Sequence, residues 1–129
     1  MTESAPPLTR IISPDEIAAA FAAGGSFIET PEYRVGLARR EGPGDAEVHD
    51  VDTDIFYVFE GAATLITGGE MVDPRTVGPN ESRAPATTGG VAKTVSKGNV
   101  IVIPRTVPHW FTEVTAAPFI YLVVKSTTR

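Results

Sequence analysis

The sequence predicts an all-β protein, a small jelly-roll β-barrel with one short N-terminal helix. Two observations predict this class. Short runs of β-branched and aromatic residues recur along the chain, as in 55–59, 100–103 and 118–124, and such residues favour strands. Clusters of Gly, Pro, Asn and Asp separate these runs, which is typical of a barrel built from many short antiparallel strands.

Composition indicates one packed domain. The chain has 129 residues, 42% of them hydrophobic, and no cysteine, so disulfides and thiolate metal ligands are excluded. We assign residues 1–12 to a flexible N-terminus and residues 13–129 to the barrel. A net charge of -5 without a basic run argues against a nucleic-acid partner. No stretch approaches the roughly 20 apolar residues that span a membrane, and no leader peptide is evident, so we expect a cytoplasmic protein.

The helix is predicted near the N-terminus. Ser13 is a good N-cap, Pro14 suits the first helical position, and Glu16 is placed to complete a capping box. The alanine-rich segment 17–23 continues the helix, and Gly24-Gly25 ends it. Because so short a helix is not stable alone, we expect it to pack on the outside of the barrel.

Two strands are expected next, at 26–29 and 33–40. The second alternates large residues with small residues and arginines. Small residues in a barrel wall leave room for a cavity, and Arg34 or Arg40 would then meet an anionic substrate. The alternative is that these arginines pair with surface carboxylates.

The rest of the chain is organised around residues 47–61. Glu47 and His49 are two apart, so in a strand their side chains share one face. Asp54 follows across a segment rich in turn formers and would return a second carboxylate to the same place. The alternative is a solvated loop, in which Asp54 and its acidic neighbours simply face water.

Strand residues follow this acidic segment. Residues 55–59 are aromatic or β-branched and predict a buried strand. Glu60-Gly61 then reads as a tight turn, with 63–67 as the returning strand.

The other histidine lies at the end of a second strand-like run. Residues 100–103 form a four-residue apolar strand. Pro104 ends it, because proline has no N–H for the next ladder bond. Pro108 fixes φ just before His109 and helps to orient that imidazole. Each histidine of the chain therefore lies beside a strand, next to residues that would orient it.

The spacing of these residues resembles the two motifs of the cupin superfamily. The first motif is matched by Glu47-x-His49, four residues, Asp54, six residues and Gly61. The second is matched by Gly98, Pro104, Thr106, His109 and Glu113. Glu47 stands where His is usual, Asp54 where Glu is usual, Thr106 where Gly is usual and Glu113 where Asn is usual. The resemblance covers residues 33–124 and implies a cupin barrel.

The resemblance also implies a metal site with Glu47, His49, Asp54 and His109 as ligands. Such imidazole and carboxylate ligands suit Fe, Mn, Zn or Ni, and the affinity order does not choose among them. Two histidines with one carboxylate leave open positions for O₂ or substrate, which favours an iron oxygenase. If Glu47 is not a ligand, it would serve as a general base.

Cupin relatives include oxygenases, isomerases, lyases and cyclases, so the resemblance implies a metal-dependent enzyme acting on a small organic molecule. The alternative is a non-catalytic protein that binds a small molecule, with a structural metal or none. A homodimer is a further expectation from the resemblance.

Three expectations concern the remaining residues. Residues 68–90 lack periodicity and predict a long loop, either a lid that brings Arg75 or Arg83 toward the metal or a surface excursion that serves as a dimer contact. Residues 91–95 and 118–124 predict strands. The aromatic residues of the last third are expected to fill the core; they are Trp110, Phe111, Phe119 and Tyr121.

Overall fold

The computed structural model describes residues 8–128 and confirms a fold made almost entirely of strands. Over that range the chain forms one helix, α1 (Pro14–Ala20), and eleven strands. These are β1 (Gly25–Glu29), β2 (Tyr33–Arg40), β3 (Ala46–His49), β4 (Asp52–Thr67), β5 (Glu70–Val72), β6 (Arg75–Gly78), β7 (Glu81–Ala84), β8 (Ala86–Thr88), β9 (Val91–Ser96), β10 (Val100–Ile103) and β11 (His109–Thr127). Residues 1–7 of the predicted flexible N-terminus lie outside the described range.

Helix α1 begins as predicted but ends earlier. Ser13 accepts from the backbone N–H of Glu16, and the Glu16 side chain accepts from the backbone N–H of Ser13. The predicted continuation over 17–23 is wrong beyond Ala20, because the backbone N–H of Phe21 donates to the carbonyl of Ala18, three residues back, at 3.2 Å and residues 21–23 form a turn. The ring of Phe21, the C-cap residue, contacts Phe59 of β4 with 5.6 Å between ring centroids. The packing of the helix itself on the barrel stays a prediction. No helix of the described chain is long and apolar enough to cross a membrane.

Strand β4 is the centre of the main sheet. It pairs with β11 along one edge and with β9 and β10 along the other. The predicted tight turn at Glu60-Gly61 is wrong, since β4 runs through it as one 16-residue strand. Gly61 instead marks a bend: its φ is +82°, and β11 shifts register opposite it, between Ala116 and Ile120. A Cβ at Gly61 would lie 2.3 Å from the Pro118 carbonyl oxygen, so the bend needs glycine.

The other strands of this curled sheet lie side by side in the order β1-β2-β11-β3-β7-β6. Strand β5 pairs with β8 in a separate two-stranded sheet. The predicted long loop over 68–90 is therefore wrong, because this segment contains the four strands β5 to β8. Each is only three or four residues long, and positive φ values turn the chain at Gly68 before β5, at Asp73 before β6 and at Asn80 before β7. Strands this short carry too few residues for their alternation to be seen.

The core is aromatic, as expected. Phe111, Phe119 and Tyr121 are buried, and Phe56 of β4 packs against Tyr121 with 4.8 Å between ring centroids. Trp110 is only half-buried and differs from the expectation. Its indole N–H donates to the carbonyl of Gly44 at 2.9 Å, so it ties the loop before β3 to β11.

Candidate metal centre

Three strand ends bring the two histidines and Asp54 together. His49 is the last residue of β3, Asp54 lies near the start of β4, and His109 is the first residue of β11. Strand β11 links them, because His109 pairs with Glu47 of β3 while the same strand pairs with β4. The backbone N–H of Thr106 donates to the carbonyl of His49 at 2.7 Å, so the turn before His109 is tied to β3.

The three side chains form one buried cluster, which we call the His-Asp-His cluster (His49, Asp54 and His109). Asp54 Oδ2 lies 3.4 Å from Nε2 of His49 and 3.4 Å from Nε2 of His109. The exposed fractions of the three residues are 5%, 1% and 3%. Two ligands that each bind an ion at about 2.1 Å lie up to about 4.2 Å apart, so both 3.4 Å separations fit a shared ion.

The other nitrogen of each ring holds it in place. His49 Nδ1 lies 3.2 Å from Glu81 Oε1, and His109 Nδ1 lies 3.3 Å from the carbonyl oxygen of Val107. Both partners are acceptors, which favours a proton on each Nδ1. In a neutral ring this leaves the Nε2 lone pair directed toward Asp54, which is the tautomer that a metal ligand needs.

Glu81 is a site residue that sequence reasoning missed. It is the first residue of β7, and β7 pairs with β3 so that Glu81 lies opposite His49. Residues 68–90 were expected to form a loop, and nothing in their composition indicates this pairing. Only the pairing of β3 with β7 shows that Glu81 lies at the site.

Glu47 lies beside the cluster without joining it. Its carboxylate is 3.3 Å from Arg83 and 3.7 Å from Arg40. With His49 and Glu81 it forms a second group of side chains close enough to hold an ion. The predicted sharing of one strand face is consistent with this position, since Glu47 and His49 line the same small cavity. Its roles as ligand or base stay predictions.

Lys125 also enters the site, and sequence reasoning did not place it there. Its Nζ donates to Asp54 Oδ1 at 2.6 Å and lies 3.4 Å from His49 Nε2. The last strand is predicted to end at residue 124, whereas β11 runs to Thr127 and so places Lys125 opposite Asp54.

Arg34 and Arg83, the predicted catalytic arginines, each pair with carboxylates. Arg34 forms an ion pair with Asp52 and lines an outer cavity of about 470 Å³. Arg83 contacts Glu47 and Glu81, with Nε 3.2 Å from Glu81 Oε2. Neither lines the small cavity at the cluster within the described chain, and their catalytic roles stay predictions.

A cavity of about 140 Å³ adjoins the His-Asp-His cluster. Its wall includes Arg40, whose Nε donates to the Tyr121 hydroxyl at 3.0 Å and whose guanidinium lies 5.1 Å from the Phe111 ring centroid. The cavity therefore combines a cation, a hydroxyl and an aromatic face with the cluster. Such a mixture of apolar walls and a few polar groups is typical of a small-molecule site.

Burial and neighbouring charges shift three pKa values in the site. Burial alone would raise the pKa of Asp54, but its close contact with His49 and the charge and hydrogen bond of Lys125 outweigh burial and lower it. Burial lowers the pKa of His109, against the opposing charges of Asp54 and Glu47. Burial raises the pKa of Tyr121, with Arg40 opposing. Asp54 is therefore charged and His109 neutral near pH 7, as metal ligation requires.

Solved structures share this fold at low sequence identity. BH2720 from Bacillus halodurans is 15% identical, with a TM-score of 0.68 over 100% of this chain and 88% of its own. The cupin domain of Cnp3 from Schizosaccharomyces pombe is 11% identical, with a TM-score of 0.59 over 81% of this chain and 60% of its own. The polyketide cyclase RemF from Streptomyces resistomycificus is 22% identical, with a TM-score of 0.53 over 82% of this chain and 65% of its own. No family model matches the sequence, and no curated protein is significantly similar to it.

The chain therefore has the cupin fold, a double-stranded β-helix, as its motif spacing predicts. Solved structures with this fold include an enzyme. In this chain the fold brings together a His-Asp-His group whose ligand atoms are close enough to hold one ion.

Proposed function

We propose that this protein is a metal-dependent cupin enzyme that acts on a small organic molecule. The observation that carries the proposal is the His-Asp-His cluster, in which three buried ligand groups lie within 4.8 Å of one another beside a small cavity. Buried acceptors that converge in this way need a cation, and a metal ion is one that both imidazoles and the carboxylate would bind together. The expected homodimer and cytoplasmic location stay predictions.

The cluster would hold the ion through three atoms. His49 and His109 would supply Nε2, and Asp54 would supply Oδ2. Two nitrogens and one carboxylate oxygen on one face suit non-haem Fe(II), which when bound would activate O₂ at its open positions. Among the reactions of cupins we therefore favour oxygenation, with Mn, Zn or Ni as the alternative ions.

The cavity wall would bind and orient the substrate. Arg40 would attract an anionic group, and the Phe111 ring would pack against an apolar part. A cavity of about 140 Å³ suits a small organic group. Glu47 would accept a proton from the substrate, since it lines the cavity and its contacts to Arg40 and Arg83 hold its carboxylate in place.

The similarity to RemF supports an enzyme rather than a purely structural barrel. RemF is a polyketide cyclase, which shows that this barrel geometry accommodates chemistry on an organic substrate. At 22% identity the likeness concerns the fold, so the substrate of RemF is not carried over to this chain.

Metal analysis of purified protein tests the proposal. We expect about one equivalent of Fe, Mn, Zn or Ni per chain, and loss of that metal in Asp54→Asn and His109→Ala. Asp50→Asn is a matched control, because Asp50 is a nearby exposed acid and its loss should leave the metal content unchanged. Oxygen consumption by the Fe(II)-loaded protein with a panel of small carboxylic acids then tests the oxygenase. Absence of metal under all conditions would contradict the proposal.

The second candidate is a non-catalytic protein that binds a small molecule, and the Lys125–Asp54 ion pair favours it. That pair already places a positive charge against the buried carboxylate without any metal. In this case a small organic molecule that binds the protein would raise its Tm equally with and without a chelator. If binding depends on the metal, the chelator would abolish this rise in Tm.

A further inference from the structure

The geometry points to Lys125 as an internal cation that competes with the metal ion for His49 and Asp54, and thereby sets the metal affinity of the site. This inference rests on the proposed metal-dependent function and concerns how tightly the ion is held. Lys125 lies on β11, opposite the strand that carries Asp54.

Strand register places the lysine at the cluster. Lys125 pairs with Asp54 of β4 on one side and with Arg34 of β2 on the other. Two like charges directly opposite one another destabilise a sheet, but each of these cations has an acid of its own. Arg34 pairs with Asp52, and Lys125 pairs with Asp54. The ammonium group is therefore directed toward the cluster rather than toward Arg34.

Lys125 stabilises the metal-free cluster. The Asp54 side chain is 2% exposed, and a carboxylate buried to that degree needs a positive partner. Lys125 supplies it with a hydrogen bond of 2.6 Å to Oδ1. Its Nζ also lies 3.4 Å from His49 Nε2, where it meets the lone pair that a metal ion would use.

The same position opposes metal binding. An ion shared by His49 Nε2 and Asp54 Oδ2 would lie a few ångströms from the ammonium, and two cations at that separation repel each other strongly in a buried site. The His49 lone pair also cannot serve a lysine N–H and a metal ion together. The ammonium must therefore move away from His49 when an ion binds.

The structure offers a place for the displaced ammonium. The Lys125 side chain is 24% exposed and lines both the small cavity and the outer cavity of about 470 Å³. Carboxylates of Asp52 and Glu81 lie in the wall of that outer cavity. Rotation of the flexible lysine side chain toward them would separate the ammonium from the ion while keeping it near negative charge.

Substitution of Lys125 tests the inference by metal binding, without reference to activity. Lys125→Met removes the charge, and Lys125→Gln also removes it but keeps a hydrogen-bond donor for Asp54. Lys97→Met is the matched control, because Lys97 is 71% exposed beside Glu60 and its loss changes the net charge by the same amount. Each protein, freed of metal by a chelator, is titrated calorimetrically with Zn²⁺ and with Mn²⁺, and its metal-free Tm is measured.

Competition predicts opposite shifts in affinity and stability. We expect Lys125→Met to bind both ions at least tenfold more tightly than the wild type and to have a lower metal-free Tm. Lys125→Gln should also bind both ions more tightly than the wild type, with a smaller fall in Tm. If Lys125→Met does not fold, the affinity of Lys125→Gln tests the competition. Lys97→Met should match the wild type in both measurements.

Two results would overturn the inference, and they are distinguishable. If the wild type binds one ion per chain and both Lys125 variants bind it equally or more weakly, Lys125 does not compete and the proposed function still holds. If neither the wild type nor the variants bind an ion, the metal-dependent function fails and the inference fails with it. Binding by the variants but not by the wild type would support the inference.

Discussion

His49 Nδ1 and Glu81 Oε1 lie 3.2 Å apart, across the paired strands β3 and β7. This contact places a carboxylate behind the ring of one proposed ligand, where it can accept a proton from Nδ1 and leave Nε2 free for an ion. In the proposed metal centre Glu81 would thus be a positioning residue rather than a ligand of the His-Asp-His cluster.

We expect Glu81→Ala to weaken metal binding about 10- to 100-fold, the range typical when such a supporting carboxylate is lost. Glu81→Gln keeps an acceptor for Nδ1 and should retain most of the affinity, so it serves as the matched control. Calorimetric titration with Zn²⁺ measures both. Equal affinity for the alanine variant and the wild type would show that the ring needs no support from Glu81.

Gly61 should tolerate no side chain. Gly61→Ala would place a Cβ 2.3 Å from the Pro118 carbonyl oxygen at a φ of +82°, so we expect a loss of about 3 kcal/mol in the free energy of unfolding from strain and overlap together. Gly68 has nearly the same φ, +81°, but open space around it. Gly68→Ala should therefore lose only about 1 kcal/mol. Urea denaturation measures the free energy of unfolding of both variants. Equal losses would contradict this expectation, because they would mean that the chain shifts at Gly61 and removes the overlap with Pro118.

The metal-free protein should lose stability as the pH falls. The folded pKa of His109 lies below its ordinary 6.5, so the unfolded chain binds this proton first and stability declines below about pH 6.5. The folded pKa of Asp54 lies below its ordinary 3.8, so its contribution is present above that pH and is lost below it. Both pKa values are lowered by folding, so both groups make the folded protein less stable as the pH falls.

Urea denaturation in the presence of a chelator at pH 8, 6, 5, 4 and 3 measures this dependence. His109→Asn should remove the decline that begins near pH 6.5 and keep the one at lower pH. Stability that stays constant or rises between pH 8 and pH 5 would contradict the assigned charge states.

Motif spacing predicted much of the fold and the centre of the site. The bounds of β2 and β10 follow from alternation and apolar run length, and the helix start follows from the Ser13–Glu16 capping box. Their spacing and the strands beside them predict His49, Asp54 and His109 as metal ligands. The structure brings all three together, as the resemblance implied.

Other features depend on contacts that the sequence does not display. Gly61 reads as a turn because a glycine after a charged residue is typical of one, yet a long strand partner in β11 carries β4 through it. Glu81 and Lys125 reach the cluster through pairing with β3 and β4, strands far away in the chain. Glu47 fits the ligand spacing, but Arg40 and Arg83 approach its carboxylate, and both arginines come from other strands.

Anomalous diffraction from crystals loaded with Zn²⁺ or Mn²⁺ tests the central claim most directly. The account predicts one strong peak bonded to Nε2 of His49, Nε2 of His109 and a carboxylate oxygen of Asp54, with the Lys125 ammonium moved away from His49. A peak held by Glu47, His49 and Glu81 instead, or no peak while Lys125 remains against Asp54 and His49, would contradict it.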